Sequence, residues 1–387
     1  MYATRRHRFL YNFLKPVVLR PFFYSRNHFK SKLYKLDKTR GNIIIANHQT
    51  TDDPFLLAGS FKGLTYPVMA RDFIPIQARK FTYKWIGPIL KSKNLKDVNV
   101  VVNMLRVLKE GHNIILYPEG NRTFSGDLCY IGDATAKLIK KAKANVIFYN
   151  FHGGYGFDPR YSTSHRKGKF YGELRREYKY EEIGQMSEEE ILNIIKENLT
   201  VVEAPTNYSY KSKTRAEKLE RALYLCPCCN KTQTLESSGN YIRCKECGLE
   251  AEYGEHLTFK ANKENFKFNT VGEWFKYQED YVYNYKVEPN KILYQDDNCI
   301  LDKITDLENT NLDNGRCVMS DTYIEVNNTR YELSSIAEMT VSGKQNLIFY
   351  VGNDSIRISC STLGFNAVKY MQMYYHIIHK ESDFLGI

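Results

Sequence analysis

The stretch Gly41-Asn42-Ile43-Ile44-Ile45-Ala46-Asn47-His48-Gln49-Thr50-Thr51-Asp52-Asp53-Pro54 decides how the first half of the chain is read. Its apolar run is short, unbroken and opened by a turn signal, as expected of a strand buried on both faces in a parallel sheet. The run stops at a histidine, and a carboxylate follows five residues later. A helix is expected to open at Asp53-Pro54, since Asp caps helix starts and Pro suits their first position. Two readings of Asp53 stay open on these residues alone. It is a helix cap, or it is the carboxylate that accepts one ring N–H of His48 and leaves the other nitrogen to take a proton.

The same grammar recurs further along. Val98–Lys109 is expected to be helical with Gly111 ending it, and Asn113–Tyr117 and Asn145–Tyr149 repeat the buried-strand pattern. Strand–helix–strand units imply an α/β layer with its active groups at the carboxyl ends of the strands. The second run leads into Tyr117-Pro118-Glu119-Gly120-Asn121-Arg122-Thr123-Phe124-Ser125-Gly126. The glycines expose backbone N–H groups, Arg122 offers a planar fork that matches a phosphate, and Thr123 and Ser125 add hydroxyls. On a neighbouring strand, this loop and His48 are expected to face one crevice.

Together the two blocks resemble the glycerol-phosphate and 1-acylglycerol-phosphate acyltransferases. The family's NH-x4-DP block is matched by Asn47, His48, Asp53 and Pro54, and its F/Y-PEG-x-R-S/T block by Tyr117 through Thr123. The resemblance covers about residues 5–200. It implies a mostly parallel central sheet flanked by helices, with His48 as general base and Asp53 orienting it. It also implies direct acyl transfer from acyl-CoA, acyl-ACP or an acyl phosphate to the free hydroxyl of a lysophospholipid, 1-acylglycerol-3-phosphate in first place. Glu119, Gly120, Arg122 and Thr123 then hold the acceptor and its phosphate. Where the family's glycine-led second block carries an arginine, Gly87–Lys93 places Lys93, a point charge without the bidentate fork. The family's fourth block has prolines that Ala144–Phe151 lacks. Gly153–Arg160 is glycine-rich, and Arg160, Arg166 and Lys167 read as a solvated loop, with phosphate contact as the alternative. No GxSxG elbow supports a serine mechanism.

The net charge of +11 is concentrated at one end: residues 1–40 hold eleven Lys or Arg against Asp37 alone. A basic end on a nearly neutral body points to an anionic membrane surface and away from nucleic acid. In Arg5–Val17, helical spacing lets Phe9, Leu10, Phe13, Leu14 and Val17 share a face, with Arg8, Asn12 and Lys15 elsewhere. Pro16 and Pro21 are expected to break the segment into short pieces. Such a helix lies in the headgroup layer, or packs as an ordinary helix on its own domain. No run approaches the length of a spanning helix, and the N-terminus lacks the apolar core of a secretory signal. The expected location is the cytoplasmic face of a membrane.

Cys226-Pro227-Cys228-Cys229 and Cys244-Lys245-Glu246-Cys247 form two CxxC pairs fourteen residues apart. Four thiolates so spaced read as a structural zinc ribbon of Cys226, Cys229, Cys244 and Cys247, with Cys228 spare. Ser187 and Glu190 form a capping box for a helix to about Leu199, and Thr270 and Glu273 form another. Residues 205–213 read as a linker and 214–223 as a connecting helix. After residue 290 the period changes to two, and a helix over Asn366–His379 closes the chain. This last part resembles a pleckstrin-homology-like barrel. The expected division is a basic segment over 1–40, the acyltransferase domain over 41–205, linker and ribbon over 206–260, and a β-rich domain over 261–387. The rival reading is a phospholipid-binding zinc-ribbon adaptor without catalysis.

Overall fold

The computed structural model describes residues 2–37, 39–70, 74, 76–91, 98–305, 308–361 and 365–378. The first of three sheets contains β1 (Phe29–Lys30), β2 (Asn42–Ala46), β3 (Thr65–Ala70), β4 (Ile89–Lys91), β5 (Asn113–Leu116), β6 (Asn145–His152) and β7 (Phe170–Tyr178). Their order is β1-β7-β6-β2-β5-β3-β4, and every pair is parallel except β6 with β7. The three apolar runs take the centre, where helices cover both faces and Ile43, Ile44, Ile45, Ile114, Ile115, Val146 and Ile147 are sealed from water. Strands β3, β4 and β7 are less legible. Pro67 interrupts the first, the second has three residues, and the third alternates apolar with charged positions.

Register sets the site. Ile45 pairs with Leu116 across β2 and β5, and Ala46 pairs with Tyr149 across β2 and β6. Counting on three residues from the first pair brings His48 level with Glu119, at the carboxyl ends of adjacent parallel strands.

The N-terminal segment is not broken at its prolines. Arg5–Phe9 and Arg20–Arg26 are α-helical, and Leu10–Leu19 between them is wound as a π-helix that contains Pro16. Pro21 sits in the first turn of the last piece, where its missing N–H is not needed. The expected single apolar face divides in two. Leu10 and Tyr11 are buried against the domain, while Phe9, Phe13, Val17, Val18 and Phe22 are exposed. Lys15 is on the buried side as well. Its ammonium donates to the carbonyls of Phe61 (2.8 Å) and Gly63 (2.7 Å) just past the Asp53–Ser60 helix, and burial lowers its pKa to about 7.

The second sheet holds β8 (Leu235–Ser238), β9 (Tyr241–Cys244), β10 (Glu250–Tyr253) and β11 (Phe259–Ala261), all antiparallel. The third holds β12 (Ile292–Ile304), β13 (Asn309–Ser320), β14 (Tyr323–Val326), β15 (Thr329–Glu332), β16 (Ile336–Ser342), β17 (Asn346–Val351) and β18 (Asp354–Cys360). Its order is β15-β14-β13-β12-β18-β17-β16, antiparallel throughout. Two runs that look separate in sequence, Lys291–Tyr294 and Cys299–Ile304, merge into β12 across a register shift between Asp296 and Cys299. The Ala367–Ile377 helix packs on β16 and β17, with the Tyr374 hydroxyl donating to the Ile336 carbonyl (2.6 Å) and Tyr375 to Met339 (2.8 Å).

Residues 205–213 are no loose linker. Tyr210 is buried against Gly156 and Gly168, where a Cβ would meet its ring at 2.4 and 2.2 Å. Only glycine admits the ring there. Within 214–223 the expected helix shrinks to a 3-10 turn over Leu219–Arg221. One apolar core runs from Ile44 and Tyr149 through Tyr155, Tyr210 and Trp274 to Met319 and Tyr370, joining all three sheets.

Candidate active site

Asp53 is fully buried and stands at the start of its helix, with Asp52 as N-cap and Pro54 in the first turn. Its Oδ2 accepts from the backbone N–H of Gln49 (2.7 Å) and Thr50 (2.9 Å), and its Oδ1 accepts from the Thr50 hydroxyl (2.5 Å). His48 Nδ1 lies 2.9 Å from the same Oδ2. A carboxylate already collecting donors sets the tautomer: Nδ1 carries the hydrogen and Nε2 is left basic. The cap reading of Asp53 does not hold, since Asp52 occupies that position and Asp53 is the first helical residue; its carboxylate faces His48 and the N–H groups upstream of the helix instead. Beneath His48 the Tyr117 ring stacks at 4.3 Å and 25°, which fixes the plane of the imidazole. Burial lowers the histidine's pKa below its ordinary value; Asp53 opposes this, and the charges of Arg122 and Arg160 add to it.

Glu119 holds the loops together. Its Oε1 accepts the His48 backbone N–H (2.7 Å) and its Oε2 accepts that of Cys129 (2.9 Å). Burial pushes its pKa up to about 7, with the two N–H groups pulling it back. Thr123 is similarly occupied within the loop, its Oγ1 accepting from Ser125 (3.2 Å) and Gly126 (2.9 Å) N–H and its own N–H donating to the His48 carbonyl (3.3 Å). Gly120 turns the chain at φ +69°. Lys93 lies outside the described residues.

Arg122 is buried, and its Nη1 stands 3.6 Å from Asp158 Oδ2 without a hydrogen-bond partner. Asp158 belongs to the glycine-rich segment, and the sequence offered no reason to single it out. Arg160 and Arg166 are not on a solvated loop: both are almost completely buried. Arg166 donates to the Tyr161 hydroxyl and the Arg215 carbonyl, both at 2.6 Å. His48 opens on a small cleft of about 10 Å³ lined also by Gln49, Glu119, Thr123, Asp127, Leu128 and Leu199. That is smaller than a typical ligand pocket, roughly 300–1,000 Å³. Arg122 does not line it. The expected single open crevice is thus present only in part, with base and guanidinium on neighbouring loops but one of them covered.

Residues 27–149 match the family described as Acyltransferase. The chain carries an acyltransferase-family domain. Both blocks described above fall inside the matched residues. The chain is also similar to the 1-acyl-sn-glycerophosphate (LPA) acyltransferase PlsC of Thermotoga maritima, at 19% identity and a TM-score of 0.38, over 46% of this chain and 74% of that one. No curated protein matches the sequence.

Beyond the acyltransferase domain, the Sγ atoms of Cys226, Cys229, Cys244 and Cys247 lie within 4.8 Å of one another. The Cys226–Cys247 and Cys229–Cys244 separations are 3.7 and 3.8 Å. A tetrahedron with metal–sulfur bonds of about 2.3 Å has edges of about 3.8 Å, so the set fits a four-thiolate ion. A disulfide needs about 2.05 Å, and these sulfurs are far outside it.

Glu119→Gln tests the clamp between the loops. An amide has one accepting oxygen where the carboxylate has two, so one buried N–H, of His48 or Cys129, loses its partner. A loss of about 1–3 kcal/mol in unfolding free energy is expected in chemical denaturation; unchanged stability contradicts the assignment.

Proposed function

We propose that the chain transfers a fatty acyl group from acyl-CoA, acyl-ACP or an acyl phosphate to the free hydroxyl of a lysophospholipid, 1-acylglycerol-3-phosphate first among them. The observation that carries this reading is the His48–Asp53 pair at 2.9 Å, oriented at the strand ends inside an acyltransferase-family domain. His48 Nε2 takes the hydroxyl proton as the oxygen attacks the acyl carbonyl. The tetrahedral adduct then collapses, the bond to the carrier's sulfur or phosphate oxygen breaks, and the leaving group recovers the proton from Nε2. Asp53 holds the imidazolium while it exists. Arg122, with an unpartnered buried Nη1, grips the acceptor phosphate in place of its loose pairing with Asp158.

The four thiolates hold a structural zinc ion: a closed four-sulfur shell leaves no position for substrate. The β15-β14-β13-β12-β18-β17-β16 order with a closing helix supports reading the C-terminal sheet as pleckstrin-homology-like. The basic end supports peripheral attachment to an anionic membrane. Phe13 and Val17 are 64% and 73% exposed on a helix flanked by Arg5, Arg6, Arg8 and Arg20. Among the described residues no helix is long and apolar enough to cross a membrane.

His48→Ala is expected to lower kcat by about 10²–10⁴ with little change in KM; unchanged turnover by purified protein removes the base. The wild-type kcat/KM should be flat at neutral pH and fall with acid through a pKa below the ordinary histidine value, because the base must be unprotonated. Lipid binding without turnover on any lysolipid and donor would favour the adaptor reading. Elemental analysis should find one zinc per chain, and Cys244→Ser should lose both the ion and thermal stability; metal-free, fully stable protein contradicts the ribbon. Sedimentation with anionic vesicles should weaken in about 0.5 M salt and in a Phe13→Glu, Val17→Glu double variant. Salt-insensitive attachment contradicts the surface reading.

A further inference from the structure

The β16–β17 hairpin of the C-terminal sheet reaches into the acyltransferase domain. Arg160, stacked over the Phe124 ring with its guanidinium 4.1 Å from the ring centre, donates to three backbone carbonyls. These are Arg122 (2.7 Å), Gly343 (2.8 Å) and Val341 (2.7 Å). A single rigid fork therefore holds the backbone of the candidate phosphate arginine and the turn of the hairpin a guanidinium's width apart. Asn121 Nδ2 adds a bond to Thr340 Oγ1 (3.0 Å). The residue after Gly343 is Lys344, and its ammonium donates to the carbonyl of Ser162. Ser162 lies one turn beyond Asp158, its N–H bonded to the Pro159 carbonyl (3.0 Å), and Asp158 is the carboxylate that faces Arg122.

We propose that Lys344, carried by the C-terminal sheet, is the second cation of the acceptor-phosphate subsite beside Arg122, so that two sheets of the chain build one acceptor site. This rests on the acceptor reading above. A phosphate monoester is a dianion, and a fork plus a point charge neutralise it. Arg122 keeps a buried donor free, and the Ser162 carbonyl engages one of the three donors of an ammonium. Lys344 is half-buried. Burial lowers its pKa, Asp158 raises it, and Arg122 and Arg221 lower it, so its charge gains from an anion arriving there. Arg160 is a positioning residue that sets the spacing of the two cations through their backbones.

The test uses the full chain and two acceptors, 1-acylglycerol-3-phosphate and a monoacylglycerol that lacks the phosphate. Lys344→Ala is expected to raise KM for the phosphorylated acceptor roughly ten- to hundredfold, with kcat nearly unchanged. The neutral acceptor should be unaffected, and Lys344→Arg should restore most of the loss. The paired variant Asn121→Ala, Thr340→Ala loosens the hairpin without removing charge and should leave the preference between acceptors intact. Unchanged KM, or equal losses on both acceptors, overturns the proposal and leaves Lys344 as a docking contact. If the wild type turns over neither acceptor, the transfer reading fails, and calorimetric titration with glycerol 3-phosphate still decides this one: binding weakened by Lys344→Ala supports it, equal binding overturns it.

Discussion

A buried carboxylate at the mouth of β2 is the constraint on which the site depends. Asp53 has no exposed surface and collects the N–H groups of Gln49 and Thr50, the Thr50 hydroxyl and the His48 ring. An ionised carboxylate that deep is tolerable only because its lone pairs meet donors. The same bonds force the turn from strand to helix and aim the imidazole. Shape and chemistry are set together, since neither the turn nor the tautomer survives without the anion.

Adjacent strands supply the rest of the frame. Glu119 from the end of β5 grips the His48 backbone. Asn47 exchanges two bonds with Phe151 on β6, donating from Nδ2 to the carbonyl (3.0 Å) and accepting the N–H (2.8 Å). Gln49 accepts the Gly154 N–H (2.9 Å), and Glu203 accepts that of Gly153 (2.9 Å). Glu203 is pushed up to about 7 by burial, as Glu119 is, so the histidine loop hangs between two desolvated carboxyl groups that serve as backbone acceptors. Such a scaffold keeps the base in place through backbone contacts, with Asp53 bonded to its ring.

The C-terminal half is not an appendage in packing terms. The apolar core is continuous from the first sheet to the third, and Trp274 ties the Val271–Tyr283 helix to the cysteine-rich sheet through the Leu225 carbonyl (2.8 Å). Burial of Arg160 between loop and hairpin makes the two ends of the molecule share one polar joint. Fully desolvated guanidinium groups are costly unless their donors are met, and here three carbonyls from two distant segments meet them.

Sequence by itself determined the features that local pattern encodes. The buried runs of β2, β5 and β6, the Val98–Lys109 helix, the Ser187 capping box and the cysteine spacing follow from periodicity and short-range chemistry, as do His48, Asp53 and Arg122 as candidates. Only the tertiary structure decided what long-range partners impose. It turned Glu119 and Thr123 inward to hold the loop, buried Lys15 against two helix-end carbonyls, filled the space over Gly156 and Gly168 with Tyr210, and wound the helix through Pro16. It also brought Asp158, Arg160 and Lys344 to Arg122 from as far as 222 positions away. The physical reason is the same in each case. A strand or helix announces itself through neighbours within one or two turns, whereas the use of a polar side chain is set by which unpaired donor or acceptor the folded chain places beside it.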